Sequence, residues 1–249
     1  MEQNKAQGWV LITGAAQRIG AAICRHLHHK GYDLLLHYRS SREAADALAE
    51  ELNAIRADSC HLVSADLCDA DAVEALAKQA QRYKLCGLVN NASSFYPTPA
   101  GSVTLADWNA LMGPNLRAPL FLSHRLAETL AANQGAIVNI TDIHAERPLE
   151  QHSVYCAAKA GLLMLTQSMA QELGPEVRVN AVAPGAILWP GGDSTLDDKD
   201  TQTEIMRRTP LGKLGSVEDI AGAVGFLLDE APYVSGQVIR VDGGRSTTI

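Results

Sequence analysis

Short apolar runs alternate with longer amphipathic ones along almost the whole chain, and this alternation restricts the fold more than any other feature. Trp9 to Thr13, Asp33 to Tyr38, Cys60 to Ser64, Gly87 to Asn90, Ala136 to Ile140, Val177 to Val182 and Val238 to Val241 read as strands. Helix-period stretches fall between them near 18–31, 41–56, 69–84, 104–132, 152–173 and 216–229. A strand, a helix and a second strand in that order fold as a right-handed crossover onto a parallel sheet covered on both faces. The near-continuous apolar run Ala136-Ile137-Val138-Asn139-Ile140 suits a strand buried on both sides. The expectation is one α/β domain over 1–249, a doubly wound parallel sheet of about seven strands with helices on both faces. Only Ala186 to Thr209, rich in Gly, Pro, Asp and Thr, breaks the rhythm. It reads as a long mobile loop, and loops of that length in such folds are usually functional.

Composition removes several functions. With 249 residues, 47% of them hydrophobic, the chain can bury a substantial core as one domain. The net charge is −7 with acids and bases interspersed, and no basic block exists to track a phosphate backbone, so nucleic acid is not an expected partner. Apolar runs such as Leu162 to Leu165 are too short for a bilayer, and Met1 to Gly8 lacks the apolar stretch of a signal peptide. Five scattered cysteines (Cys24, Cys60, Cys68, Cys86, Cys156), odd in number and without a C-x-x-C pair, read as reduced thiols of a cytoplasmic protein. His26, His28 and His29 lie close together, but no carboxylate or thiolate completes a local ligand set. A solvated helix face is expected there, and no metal.

Val10-Leu11-Ile12-Thr13-Gly14 runs off the first strand into Ala15-Ala16-Gln17-Arg18-Ile19-Gly20 and a helix. Glycines at such a turn let backbone approach a pyrophosphate, and the helix N-terminus offers unpaired N–H groups. The end of the second strand separates NAD from NADP. An acid there would bind the ribose 2′-hydroxyl. The chain instead has His37-Tyr38-Arg39-Ser40-Ser41-Arg42, with no acid until Glu43. A guanidinium flanked by hydroxyls suits a dianionic 2′-phosphate, so the expected cofactor is NADPH/NADP+, with a solvated basic turn as the alternative. Asp66, after the third strand, is placed to accept from the adenine amine, with a plain helix N-cap at Asp66 or Asp69 as the alternative.

Tyr155 and Lys159 are four apart on one predicted helix, so they share a face. A nearby ammonium is expected to lower the tyrosine pKa and make it a usable proton donor near neutral pH.

Thr13-Gly14-x-x-x-Arg18-Ile19-Gly20, Asp66-Leu67, Asn90-Asn91-Ala92, Asn115, Tyr155-x-x-x-Lys159, Pro184-Gly185 and Val241-Asp242-Gly243-Gly244 together resemble the short-chain dehydrogenase/reductases, from about Trp9 to the C-terminus. Three departures point to their pteridine reductase branch. Arg18 replaces the usual middle glycine of the phosphate turn, and Asp142 replaces the catalytic serine. Asn90 to Pro99, and His37-Tyr38 with Arg39-Ser40, are similar to the corresponding segments of pteridine reductases.

The resemblance implies a Rossmann-like fold, NADPH, and reduction of a dihydropterin to a tetrahydropterin, with folate and dihydrofolate as further candidates. It implies Asp142, Tyr155 and Lys159 as the proton-delivery set, with Lys159 also holding the nicotinamide ribose, and Asn115 positioning the active-site helix and a water. Gly14, Arg18, Ile19, Gly20, His37, Tyr38, Arg39, Ser40, Asp66, Leu67, Asn91, Ala92, Ser93, Pro184 and Gly185 join Tyr155 and Lys159 around the cofactor. Arg18, Ser93, Phe95, Asp142, Tyr155 and Trp189 face the substrate. Phe95 would stack on one face of the pterin, unless it is a core aromatic, and Trp189 would cover the pocket, unless it packs locally. His144 and His152 flank the catalytic segment, and substrate contact and a plain surface position both stay open for them. The family is mostly homotetrameric, with C-termini near neighbouring subunits. A reductase acting on a ketone or another heterocycle, and an NADPH sensor without turnover, are the competing functions. A carboxylate at 142 repels a developing alkoxide, which argues against a simple ketone.

Overall fold

Val10, Leu11 and Ile12 are wholly inaccessible to solvent, and this apolar run makes β1 (Trp9–Ile12) an interior strand of the sheet. The computed structural model describes residues 7–188 and 199–248. β1 pairs in parallel with β2 (Asp33–Tyr38) on one side and β4 (Leu85–Asn90) on the other. β3 (Cys60–Ser64) extends the first side, and β5 (Ala136–Ile140), β6 (Arg178–Pro184) and the later strand Val238–Val241 extend the second. Strand order therefore reverses between β1 and β4. In open α/β sheets that reversal opens a crevice at the carboxyl ends of the strands, where ligands bind.

The two-residue period of the strands feeds two cores. Leu34 and Leu36 of β2 face one side with Ile12, and there meet α1 (Arg18–His29), α2 (Arg42–Ile55) and the later helix Val217–Gly225 through Ile23, Leu27, Leu48, Ile220 and Val224. Leu35 and Leu11 face the other side. They pack with Leu76 of α3 (Ala70–Ala80), Leu122 and Leu126 of the segment Ala118–Ala131, and Met169 of the segment Ser153–Glu172.

The expected helix over 104–132 is present but not regular. α4 (Leu105–Met112) starts on a capping box of Thr104 and Asp107, a π-helical turn covers Gly113–Arg117, and α5 (Ala118–Ala131) continues. Pro114 has no N–H for the regular ladder, and the wider turn absorbs the break. Asn115 Nδ2 donates to Leu111 O at 2.9 Å, the carbonyl that a regular helix would pair with the backbone N–H of the same residue.

Three expectations need correction. Within 186–209, β7 (Ile187–Leu188) pairs with β8 (Gly215–Ser216), and Lys199–Arg207 is a helix, α7, not loop. α7 is mostly polar, so no apolar stripe announced it; Glu204 is ion-paired to Arg207 and Arg208 on its surface. The histidine face of α1 is solvated only at His29. His28 is buried with Nε2 2.8 Å from Ser59 Oγ, and His26 packs so closely on Gly225 that a Cβ there would stand 2.4 Å from its ring. Helix-period 216–229 divides into α8 (Val217–Gly225) and a π-helical turn over Phe226–Glu230, before β9 (Val238–Val241). All five cysteines are free thiols, and no described helix is long and apolar enough to cross a membrane.

Candidate active site

β5 delivers its chain end to the switch-point edge. Thr141 still bonds to Val182 O, and Asp142 leaves the sheet in an extended conformation to cap a 3-10 turn over Ile143–Ala145. One carboxylate oxygen accepts from His144 N at 2.8 Å, and the other accepts from the Tyr155 hydroxyl at 2.6 Å. Tyr155 and Lys159 lie one turn apart on α6 (Ser153–Glu172), and both are buried. Lys159 Nζ donates to Ile140 O at 2.9 Å, so one strand end anchors both the lysine and, through Asp142, the tyrosine.

Burial, followed by the Asp142 charge and hydrogen bond, pushes the Tyr155 phenol well above its ordinary value. The expected lowering by Lys159 is absent. The ammonium stands 5.7 Å from the ring centre, whereas the opposing carboxylate is in direct contact with the hydroxyl. Burial in turn brings Lys159 down to about 8, partly offset by Asp142. The result is a phenol held neutral, with its hydroxyl donating to Asp142.

Asn115 is wholly buried and its amide is committed. Its Oδ1 accepts from Ser93 Oγ at 2.8 Å and its Nδ2 donates to Ser94 O at 2.8 Å. The π-helical turn thus holds the 93–94 loop in place. Phe95 follows on that loop and is 55% exposed, which removes the core-aromatic alternative. Its ring is stacked on His152 (centres 4.6 Å apart, 14° between planes) and meets Tyr155 edge-on at 4.8 Å. His152 therefore joins the site, although its sequence position left a surface role equally open.

At the crevice itself, Thr13 Oγ1 accepts from Asn91 N and Ala92 N at 3.0 Å, while Asn91 Nδ2 donates to Thr13 O and Gly14 O at 2.9 Å. These bonds fix the turn after β1 against the end of β4. Gly14 has a φ of +62°, and a Cβ on it would lie 2.8 Å from Ala92 Cα. A Cβ on Gly20 would stand 2.2 Å from Gly14 O, so the turn closes only around glycine. Arg18 opens α1 in a left-handed conformation (φ +53°), the geometry that favours a glycine, and is exposed. The N-cap residue Gln17 makes no side-chain capping bond to α1, and Ile19 packs on the core behind it.

Not every expected cofactor residue presents its side chain. His37 is buried, with Nδ1 accepting from Gly14 N at 3.0 Å and Nε2 donating to Ala65 O at 3.1 Å, and burial lowers its pKa to about 4. It braces the phosphate turn as a neutral ring and has no nitrogen left for a phosphate. Tyr38 and Leu67 are also buried, whereas Arg39, Ser40 and Asp66 are exposed at the strand ends. Asp66 Oδ1 accepts from Cys68 N, and Asp69 is the α3 N-cap. Pro184 is buried at the end of β6, and Gly185 N donates to Val241 O. A Cβ on Gly185 would stand 2.7 Å from Asp242. Trp189 lies outside the described residues.

Two further features help to organise the site's surroundings. Asp242 takes Gly244 N and Ser246 N on its two oxygens, which organises the C-terminal turn against Leu211. Arg240 of β9 forms a two-point ion pair with Glu146, directly after the Asp142 turn. The Val241-Asp242-Gly243-Gly244 motif marked the first, but nothing local marked the second.

The family model described as enoyl-(acyl carrier protein) reductase matches residues 14–246. Pteridine reductase 1 of Leishmania tarentolae is 35% identical, over 96% of both chains. A 3-oxoacyl-(acyl-carrier-protein) reductase of Staphylococcus aureus is 34% identical over 94% of this chain and 96% of its own. Among solved structures, a blue fluorescent protein from a metagenomic library in complex with NADPH superposes with a TM-score of 0.89. It is 34% identical, over 98% of this chain and 99% of its own.

Proposed function

The chain belongs to the short-chain dehydrogenase/reductase superfamily, and from that premise we propose that it reduces the ring C=N bond of a dihydropterin with NADPH. The carrying observation is the 2.6 Å hydrogen bond from Tyr155 to Asp142. Reduction of C=N adds a hydride to carbon and a proton to nitrogen. Tyr155 is the proton source. The Asp142 carboxylate favours positive character on that nitrogen, where it would repel the alkoxide formed from a ketone.

The residues fit the cofactor. The glycine turn leaves no room for a Cβ at Gly14 or Gly20, the α1 N-cap residue Gln17 makes no side-chain capping bond, and Arg39 and Ser40 stand exposed where a 2′-phosphate is expected. When bound, NADPH supplies the hydride. Lys159 would hold the nicotinamide ribose, and Ser93, fixed by Asn115, would contact cofactor and substrate. Phe95 offers an exposed ring to a flat heteroaromatic, which gains dispersion and quadrupole contacts there. Folate and dihydrofolate carry the same ring and extend the substrate class.

The near-equal similarity to a 3-oxoacyl reductase supports a ketone substrate as the second reading, and Asp142 weighs against it. A cytoplasmic homotetramer completes the proposal. Leu105, Trp108, Phe121 and Met164 are large exposed apolar residues on α4, α5 and α6, which supports assembly.

Cofactor oxidation with NADPH and with NADH, against dihydrobiopterin, dihydromonapterin, folate, dihydrofolate and simple ketones, tests the reading. Pterin turnover with NADPH that is lost or redirected in Asp142→Ser supports it. Turnover confined to ketones overturns it.

A further inference from the structure

Phe95 sits on a stretch without regular secondary structure and is 55% exposed. A ring in such a position ordinarily samples several rotamers. Here it is held. His152 stacks on one face at 4.6 Å, and Tyr155 meets it edge-on at 78°. His152 is itself fixed, because Nδ1 lies 2.7 Å from Glu150 O and its backbone N–H donates to Leu149 O. The Phe95 loop is tied to the same segment where Thr98 N donates to Gln151 O. His152 occupies the N-cap position of α6, yet its side chain makes no capping hydrogen bond, so helix capping does not explain its placement.

We propose that His152 is a positioning residue for substrate. It covers one face of Phe95, fixes the plane of that ring, and leaves the opposite face for a flat heteroaromatic substrate. This role rests on the ring-binding reading of Phe95 given above. Pre-orientation saves the bound complex the ordering of a loose side chain, so it lowers KM for ring substrates and leaves the chemical step alone. What matters in His152 is its flat aromatic surface, so another aromatic can replace it and an aliphatic residue cannot.

The test is steady-state reduction of dihydrobiopterin by NADPH in the full-length protein and in His152→Leu, His152→Gln, His152→Phe and Phe95→Leu, with NADPH affinity measured alongside. His152→Leu and His152→Gln are expected to raise KM about fivefold with kcat little changed, the loss of one aromatic pair. His152→Phe is expected to restore KM, and NADPH affinity to stay level in all three. An unchanged KM in His152→Leu and His152→Gln, or no rescue by His152→Phe, overturns the proposal if Phe95→Leu still raises KM. If Phe95→Leu leaves KM unchanged, or no pterin is turned over, the ring-binding reading fails and the role of His152 falls with it.

Discussion

The Tyr155 hydroxyl donates to Asp142 across 2.6 Å, and their backbones are fixed independently, one on α6 and one just beyond β5. The pair is therefore preorganised, and Asp142 adds to the effect of burial in raising the phenol's pKa. Replacing Asp142 by Ser removes the negative charge and the accepting oxygen that help hold the Tyr155 pKa up. The phenol then ionises at lower pH, so the alkaline limb of the rate profile moves towards neutrality. Pterin turnover is expected to fall roughly 100-fold, the scale of a misplaced general acid. A pH–rate profile for both proteins checks this, and superimposable alkaline limbs would contradict it.

Arg39 lies just beyond β2, exposed, while the neighbouring Arg42 is paired with Asp46. If Arg39 holds the 2′-phosphate, Arg39→Ala removes a charge-assisted bond that NADH never forms. The ratio of kcat/KM for NADPH over NADH should fall about 10- to 100-fold, with the NADH value itself within about twofold of the parent protein. An equal fall with both cofactors would point to lost folding or a shared contact instead.

The strand–helix rhythm made the sheet legible because each strand is a run of apolar residues bounded by turns, as in Leu34-Leu35-Leu36. The placing of Tyr155 beside Lys159 was legible through spacing, since the two share a helix face, whereas Asp142, two residues beyond β5, was singled out by the resemblance. α7 was not, because Lys199–Arg207 carries no clear apolar stripe to distinguish it from loop. The role of His37 was also hidden. A polar residue in a strand gives no sign of whether it faces ligand or backbone, and only the register of β2 beside β1 and β3 brings its ring to Gly14 and Ala65. The Phe95–His152 stack joins residues 57 apart, a distance that no periodicity reaches.

Lys159 is buried at a cost in stability. Burial lowers its pKa to about 8 from the ordinary 10.5, so the folded state gives up its proton before the unfolded chain does. Below pH 8 the buried charge opposes folding, and this penalty disappears as pH rises from 8 towards 10.5. Lys159→Met removes the charge and keeps most of the volume. It should abolish turnover and raise the unfolding free energy at pH 7 by about 2 kcal/mol, allowing for the lost bond to Ile140 O. Urea denaturation at pH 7 measures the difference, and a less stable variant would refute the assignment.

His37 shifts stability with pH in the same direction, in a more acidic window. Its ring is neutral in the fold, accepting from Gly14 N and donating to Ala65 O, and burial lowers its pKa to about 4 from 6.5. Between those values the unfolded chain binds a proton that the folded protein excludes. The stability is complete above pH 6.5 and is lost as pH falls towards 4, by up to about 3 kcal/mol. Carboxylates titrate in the same range, so comparison with a non-titrating variant is needed to isolate this contribution. His37→Gln can still accept and donate, and it should lose less stability than the parent protein between pH 7 and pH 4.5. His37→Leu leaves the Gly14 N–H and the Ala65 carbonyl unpaired. It should lose about 1–3 kcal/mol at pH 7, together with affinity for NADPH, because the phosphate turn has lost its brace. Urea midpoints at both pH values, with cofactor titrations, measure these effects. Parallel acid loss in the parent protein and His37→Gln would mean that the imidazole takes up its proton without unfolding the turn.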